Sequence, residues 1–305
     1  MNRGINHGKQ SVNLALTVLE ISAPVFLLAA IGFGWVKLGF EYRMQFVTRL
    51  SMTLAVPCLI FVSLMQTEIE ARALATLSLA ALAAYAGVGL VTAALVWLRG
   101  LDVRTFLNPL VFGNTGNLGL PLALFAFGET GLGYAVVVFA VMAILSFTVG
   151  VWFVAGGGNP AKVLREPLVG ATLLGALFLW QGWQTPAFLT NALDLIGQMA
   201  IPMMLITLGV AVARLRPSHL ARATGLSLVK LAICTAVPVA VGLLFGLSGV
   251  ALAVLIVQVA TPVAVTSYLL AEKYGADSDA VAGLVVASTL LSVLYLPLIL
   301  AFVID

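Results

Sequence analysis

The chain has 305 residues, 62% of them hydrophobic and 9% charged, whereas a soluble domain carries about 25% charged and about 45 to 50% apolar residues. That balance excludes a water-soluble fold. The net charge of +3 is spread singly between apolar stretches rather than gathered into a patch, so a lipid bilayer is the expected partner and nucleic acid is not.

A membrane span needs about 20 apolar residues. Ten such stretches follow in order, at about 14–36, 44–65, 73–98, 103–127, 130–154, 167–181, 186–213, 223–246, 249–273 and 278–304. The basic start (Arg3, Lys9) is followed by Glu20 inside the first stretch, with no small-residue cleavage pattern, so a retained span is expected. Between the fifth and sixth stretches, Gly156-Gly157-Gly158-Asn159-Pro160 cannot continue a helix. The expected organisation is therefore 1–154, a linker at 155–166, and 167–305.

An offset of 145 positions lays Pro57 on Pro202, Trp35 on Trp180, and all five spans of the first half on those of the second. Five is odd. A duplicated second unit would enter the membrane from the opposite side, giving inverted repeats. Arg3, Lys9 and Arg72 fall on the side of the termini, against Lys37, Arg43, Arg99, Arg104, Lys162, Arg165, Arg214, Arg216, Arg222 and Lys273 on the other. Because cytoplasmic loops are enriched in Lys and Arg, both termini are expected outside the cell.

The chemistry concentrates in the fourth stretch, at Gly113-Asn114-Thr115-Gly116-Asn117-Leu118-Gly119-Leu120-Pro121, and at Gln258-Val259-Ala260-Thr261-Pro262 in the ninth, where Asn117 maps onto Pro262. Gly, Asn and Pro together make a poor continuous helix. Kinked packing helices with polar glue would explain either segment alone, but paired interruptions in matching spans point to a transporter binding site. Two half-helix N-termini meeting at the membrane centre would favour an anion. The expected substrate-binding residues are Asn114, Thr115, Gly116, Asn117, Gln258, Thr261, Pro262 and Val263.

These two segments, with Leu270-Ala271-Glu272-Lys273-Tyr274-Gly275, Ala55-Val56-Pro57 and Ile201-Pro202, resemble the auxin efflux carrier family over essentially the whole chain. The resemblance implies an all-α polytopic membrane protein of ten helices in two inverted five-helix repeats, with broken and crossed fourth and ninth helices. It implies elevator-type motion of helices 3–5 and 8–10 against a scaffold of helices 1, 2, 6 and 7. It further implies a small organic anion as substrate, auxin-like or malate/malonate-like. A cell inner membrane location is expected, with a homodimer as one assembly open to the chain. Three departures from the plant pattern stand out: Gly113 replaces the first crossover Pro, Ala140 replaces a polar Gln, and the large central loop is missing.

Other polar residues admit two readings each. Arg49 and Asp194, matched by the offset, are either interfacial anchors or coupling groups, and Glu20 marks either the outer interface or a proton-coupling site. Lys230, about two turns into the eighth span, either snorkels or draws in anions. Ser51 and Gln198 are left outside the site. Cys58 and Cys234 sit in apolar runs, and His7 and His219 share no ligand spacing, so neither a disulfide, a metal nor a cofactor is expected. No nucleophile with a matching base suggests an enzyme. A passive anion channel stays open as the nearer alternative.

Overall fold

The computed structural model describes residues 3–156, 167–215 and 220–304. Most of the expected linker, with Lys162, Arg165, Arg216 and His219, lies outside the described residues. Among those described, every element is helical: α1 (Arg3–Lys37), α2 (Met44–Gln66), α3 (Ala71–Leu98), α4 (Val103–Val111), α5 (Thr115–Ala155), α6 (Pro167–Gln181), α7 (Ala187–Arg214), α8 (Leu220–Leu244), α9 (Gly249–Val259), α10 (Val265–Tyr274) and α11 (Ser278–Ile304).

Seven of these, α1, α2, α3, α5, α7, α8 and α11, are long and apolar enough to cross a membrane among the described residues. The difference from the ten expected spans has physical causes. The fourth and ninth expected spans are each broken, into α4 with the start of α5 and into α9 with α10. The 41 residues of α5 would overrun a bilayer if straight. Gly128 divides it, with φ 64° and ψ −155°, a backbone open to glycine and hostile to other residues. The sixth stretch forms α6, whose 15 residues fall short of a full span.

Proline shapes α2 and α7. Pro57 has no N–H to give to Thr53, and the preceding turn, Ser51–Ala55, widens into a π-helix. In α7 the helix relaxes at Met199, three residues before Pro202. At the start of α4, Asp102 accepts from the N–H groups of Arg104 and Thr105, satisfying donors that a helix start leaves free.

The packing repeats itself between the halves. α1 lies against 200–214 of α7, as α6 lies against 56–66 of α2. α3 packs on α4 and on 120–145 of α5, as α8 packs on α9 and α11. The first of these contacts is backbone against backbone. A side chain on Gly32 would overlap the Ile206 carbonyl, and one on Gly209 would overlap the Ala29 carbonyl and come within 2.8 Å of the Phe33 nitrogen. Small residues at such crossings let membrane helices approach where lipid gives no hydrophobic drive. Large side chains on the outer surface, such as Leu90 at 74% and Phe302 at 79% exposure, then face acyl chains.

Long-range hydrogen bonds sort the helices into two groups. Tyr42 with Thr207, Arg214 with the Tyr42 carbonyl, and Gln184 with the Met65 carbonyl stay within α1, α2, α6, α7 and their loops. Arg104 with the carbonyls of Val154 and Tyr274, Asn108 with Ser267, Lys230 with Leu110, Val263 with Ser288 and Tyr295 with Ala260 stay within α3–α5 and α8–α11. Contact between the groups runs through apolar surface: Val18, Ile21 and Val25 of α1 share one buried cluster with Leu296 and Leu300 of α11.

Candidate functional site

The two breaks meet. α4 ends at Val111 and α9 at Val259, and the chain then runs non-helical through 112–114 and 260–264, with Phe112 and Ala264 extended. Gly113 and Val263 form an antiparallel bridge, and the Asn114 N–H donates to the Pro262 carbonyl at 2.7 Å. Gly113 is required by proximity: a Cβ there would overlap Thr261 Oγ1 and lie 2.8 Å from the Thr261 carbonyl. Several groups in the second break find partners. Thr261 Oγ1 donates to the Gln258 carbonyl at 2.7 Å, the Val263 N–H donates to Ser288 Oγ at 3.0 Å, and the Tyr295 hydroxyl donates to the Ala260 carbonyl at 3.0 Å.

A cavity of about 240 Å³ opens beside this crossing. Its polar wall is Asn114, Asn117, Ser51, Thr48, Ser146, Thr207 and Thr266, and its apolar wall includes Met52, Phe139, Met142, Phe147 and Met204. The first turns of α5 (Gly116, Asn117) and α10 (Val265, Thr266) both line it. Helix starts present N–H groups without intrahelical acceptors, so both supply positive potential to the same space. Two buried groups on the wall have no hydrogen-bond partner: the Asn114 amide nitrogen, in a side chain 5% exposed, and the Ser51 hydroxyl, 2% exposed. Unsatisfied buried donors are costly and call for a ligand or water.

Of the residues singled out in the sequence, Asn114, Gly116 and Asn117 stand on the wall. Thr115, Gln258, Thr261, Pro262 and Val263 lie buried at the crossing behind it. Gln258 packs its amide against Gly119, and neither amide atom has a partner. Lys230 lies off the cavity, 3% exposed, with its ammonium 3.2 Å from the Leu110 carbonyl. Arg49 and Glu20 are exposed, and Asp194 accepts from Gln198 at 2.8 Å. A second cleft of about 670 Å³ lies toward the far ends of α2 and α7, lined by Gln66, Glu68, Glu129, Asp194 and Gln198 among others.

A family profile described as membrane transport protein matches residues 17–163 and 157–300. The chain belongs to the membrane transport protein family. The resemblance to auxin efflux carriers carried by the crossing segments is thereby borne out. An uncharacterized transporter of Methanothermobacter thermautotrophicus is 26% identical over 94% of this chain and 97% of its own length. A candidate malonate transporter of Rhizobium meliloti is 27% identical over 79% and 81%.

Sequence reasoning left out two groups of this membrane transport protein. Ser51, the first residue of the π-turn before Pro57, lines the cavity. Thr207 lies on the wall with its hydroxyl held by Tyr42, whose phenol burial pushes above its ordinary value against weaker opposing pulls from the Thr207 hydrogen bond and the Arg214 charge. A polar residue one or two turns from an intraspan proline is the signal that could have found Ser51.

Proposed function

We propose that this membrane protein is a secondary carrier for a small organic anion, working by elevator-type alternating access. The observation that carries the reading is that Asn114 and Ser51, whose buried amide nitrogen and hydroxyl have no hydrogen-bond partner, line one cavity from opposite helix groups. Neutral donors beside two helix starts can hold a carboxylate without a permanent counter-ion on the wall, which keeps release cheap. The name of the Rhizobium relative agrees with a carboxylate.

The architecture we infer is ten spans in two inverted repeats, 1–154 and 167–305. Support comes from the mirrored packing and from turn glycines with positive φ, Gly39 and Gly182, Gly100 and Gly246, Gly128 and Gly275, spaced 143, 146 and 147 positions apart. The confinement of long-range hydrogen bonds to two groups, with apolar surface between them, supports sliding of α3–α5 and α8–α11 on the rest. With the charge-based orientation, both termini lie outside and the cavity beside Asn114 opens toward the cytoplasm of the inner membrane.

Counterflow in liposomes, with a panel of mono- and dicarboxylates and with ion gradients present or absent, tests the function. Uptake of a labelled carboxylate, stimulated by unlabelled carboxylate preloaded inside the liposomes, is expected. Uptake that never responds to the trans anion and runs at channel rates would replace the carrier with a passive pore.

A further inference from the structure

A continuous helix would pair the Leu110 carbonyl with the N–H of Asn114, but that N–H turns to Pro262. Lys230, from the interior of α8, takes its place at 3.2 Å. It is the one buried charged side chain among the described residues. No carboxylate stands within ion-pair distance of it there. Its other neighbour is Cys234 Sγ at 3.6 Å, near which lie the phenols of Tyr85 and Tyr295. The matching break in the second half manages with a neutral donor, since Tyr295 serves the Ala260 carbonyl. Capping a freed carbonyl therefore needs no charge, and an unpaired cation inside a membrane protein is a costly choice that marks function.

We propose that Lys230 is a resident counter-charge, carried in the same helix group as Asn114 and the crossing, that neutralises a bound monocarboxylate while it moves through the membrane field. The proposal rests on the moving-group reading above. A loaded group with one anionic charge is then electrically neutral, the empty group carries one positive charge, and a bound dianion leaves one negative charge. Over a full cycle the net charge moved is that of the substrate alone. Lys230 decides which half of the cycle the membrane potential drives: with a monoanion, the return of the empty carrier.

Voltage steps on giant proteoliposomes without substrate test this, because the empty group should displace up to about one elementary charge per protein. The transient current should saturate with voltage, persist in Lys230→Arg, and fall by at least half in Lys230→Gln, which keeps a neutral donor for Leu110. It should vanish in protein locked by a Thr67→Cys/Gly133→Cys disulfide. A Lys230→Gln transient equal to that of the parent overturns the proposal. So does a full transient in locked protein, and so does its absence in the parent while motion is evident from the reversible cross-link. Loss of counterflow would instead strike the carrier reading, which these substrate-free recordings do not use.

Discussion

The Asn114 N–H donates to the Pro262 carbonyl at 2.7 Å, a backbone bond between the two broken spans made at a residue that also lines the cavity. Backbone and side chain thus have separate duties. The first pins the crossing, and the second, in the proposed reading, offers an unpartnered amide to a ligand.

Asn114→Leu should remove that amide and keep the pinning bond. Losing a buried polar contact of about 1 to 3 kcal/mol weakens binding by about five- to hundredfold. Calorimetry against a carboxylate panel checks it. An unchanged affinity for the best ligand would remove the crossing from the binding site.

Thr261→Val should act differently from Asn114→Leu. Its hydroxyl holds the Gln258 carbonyl rather than the cavity, so the change should lower thermal stability more clearly than affinity. Melting curves with and without ligand separate the two effects, and a ligand-dependent loss as large as that of Asn114→Leu would contradict this division.

Gly113→Ala should be poorly tolerated, because its Cβ would overlap Thr261 Oγ1. A cost of about 1 to 3 kcal/mol is typical of such overpacking. Adding Thr261→Ala should restore part of the melting temperature, though the Thr261 carbonyl at 2.8 Å remains in the way. A single variant that melts with the parent would refute the close crossing.

Thr67 and Gly133 belong to opposite sides of the boundary between the groups, and an ideal Cβ on Gly133 lies 3.7 Å from that of Thr67. This suits a disulfide. Thr67→Cys/Gly133→Cys should cross-link on oxidation and stop counterflow, with recovery on reduction. Complete cross-linking with undiminished transport would rule out relative motion there.

A phosphatase fused after Asp305 should be active and a fluorescent protein dark, if the charge asymmetry of the loops sets topology. The opposite pair of results would invert the membrane orientation and the facing of the cavity.

The broken fourth and ninth spans were legible because Gly, Asn, Thr and Pro crowd into a few residues. Their register was not. The offset of 145 sets Asn117 against Pro262, yet the bridge joins Gly113 to Val263, 150 positions apart, because α9 starts 146 positions after α4, has 11 residues against 9, and is followed by a break of five residues (260–264) against three (112–114). Residues added in one half shift the later matches, and a single offset hides this. Ser51 and Lys230 escaped assignment for another reason: one depends on the local widening of a helix, the other on a carbonyl 120 positions away. Span counting separated 103–127 from 130–154, and the helix is interrupted between them at Gly128.

Gly32 and Gly209 seat α1 into α7 with no side chain between the two backbones. Such a joint behaves as a dowel. Neither helix can rotate or advance without driving a Cα into a carbonyl, so the frame offers no compliance along this seam. In the proposed elevator reading, any deformation that a passing solute demands is expected to be taken up elsewhere than at this seam.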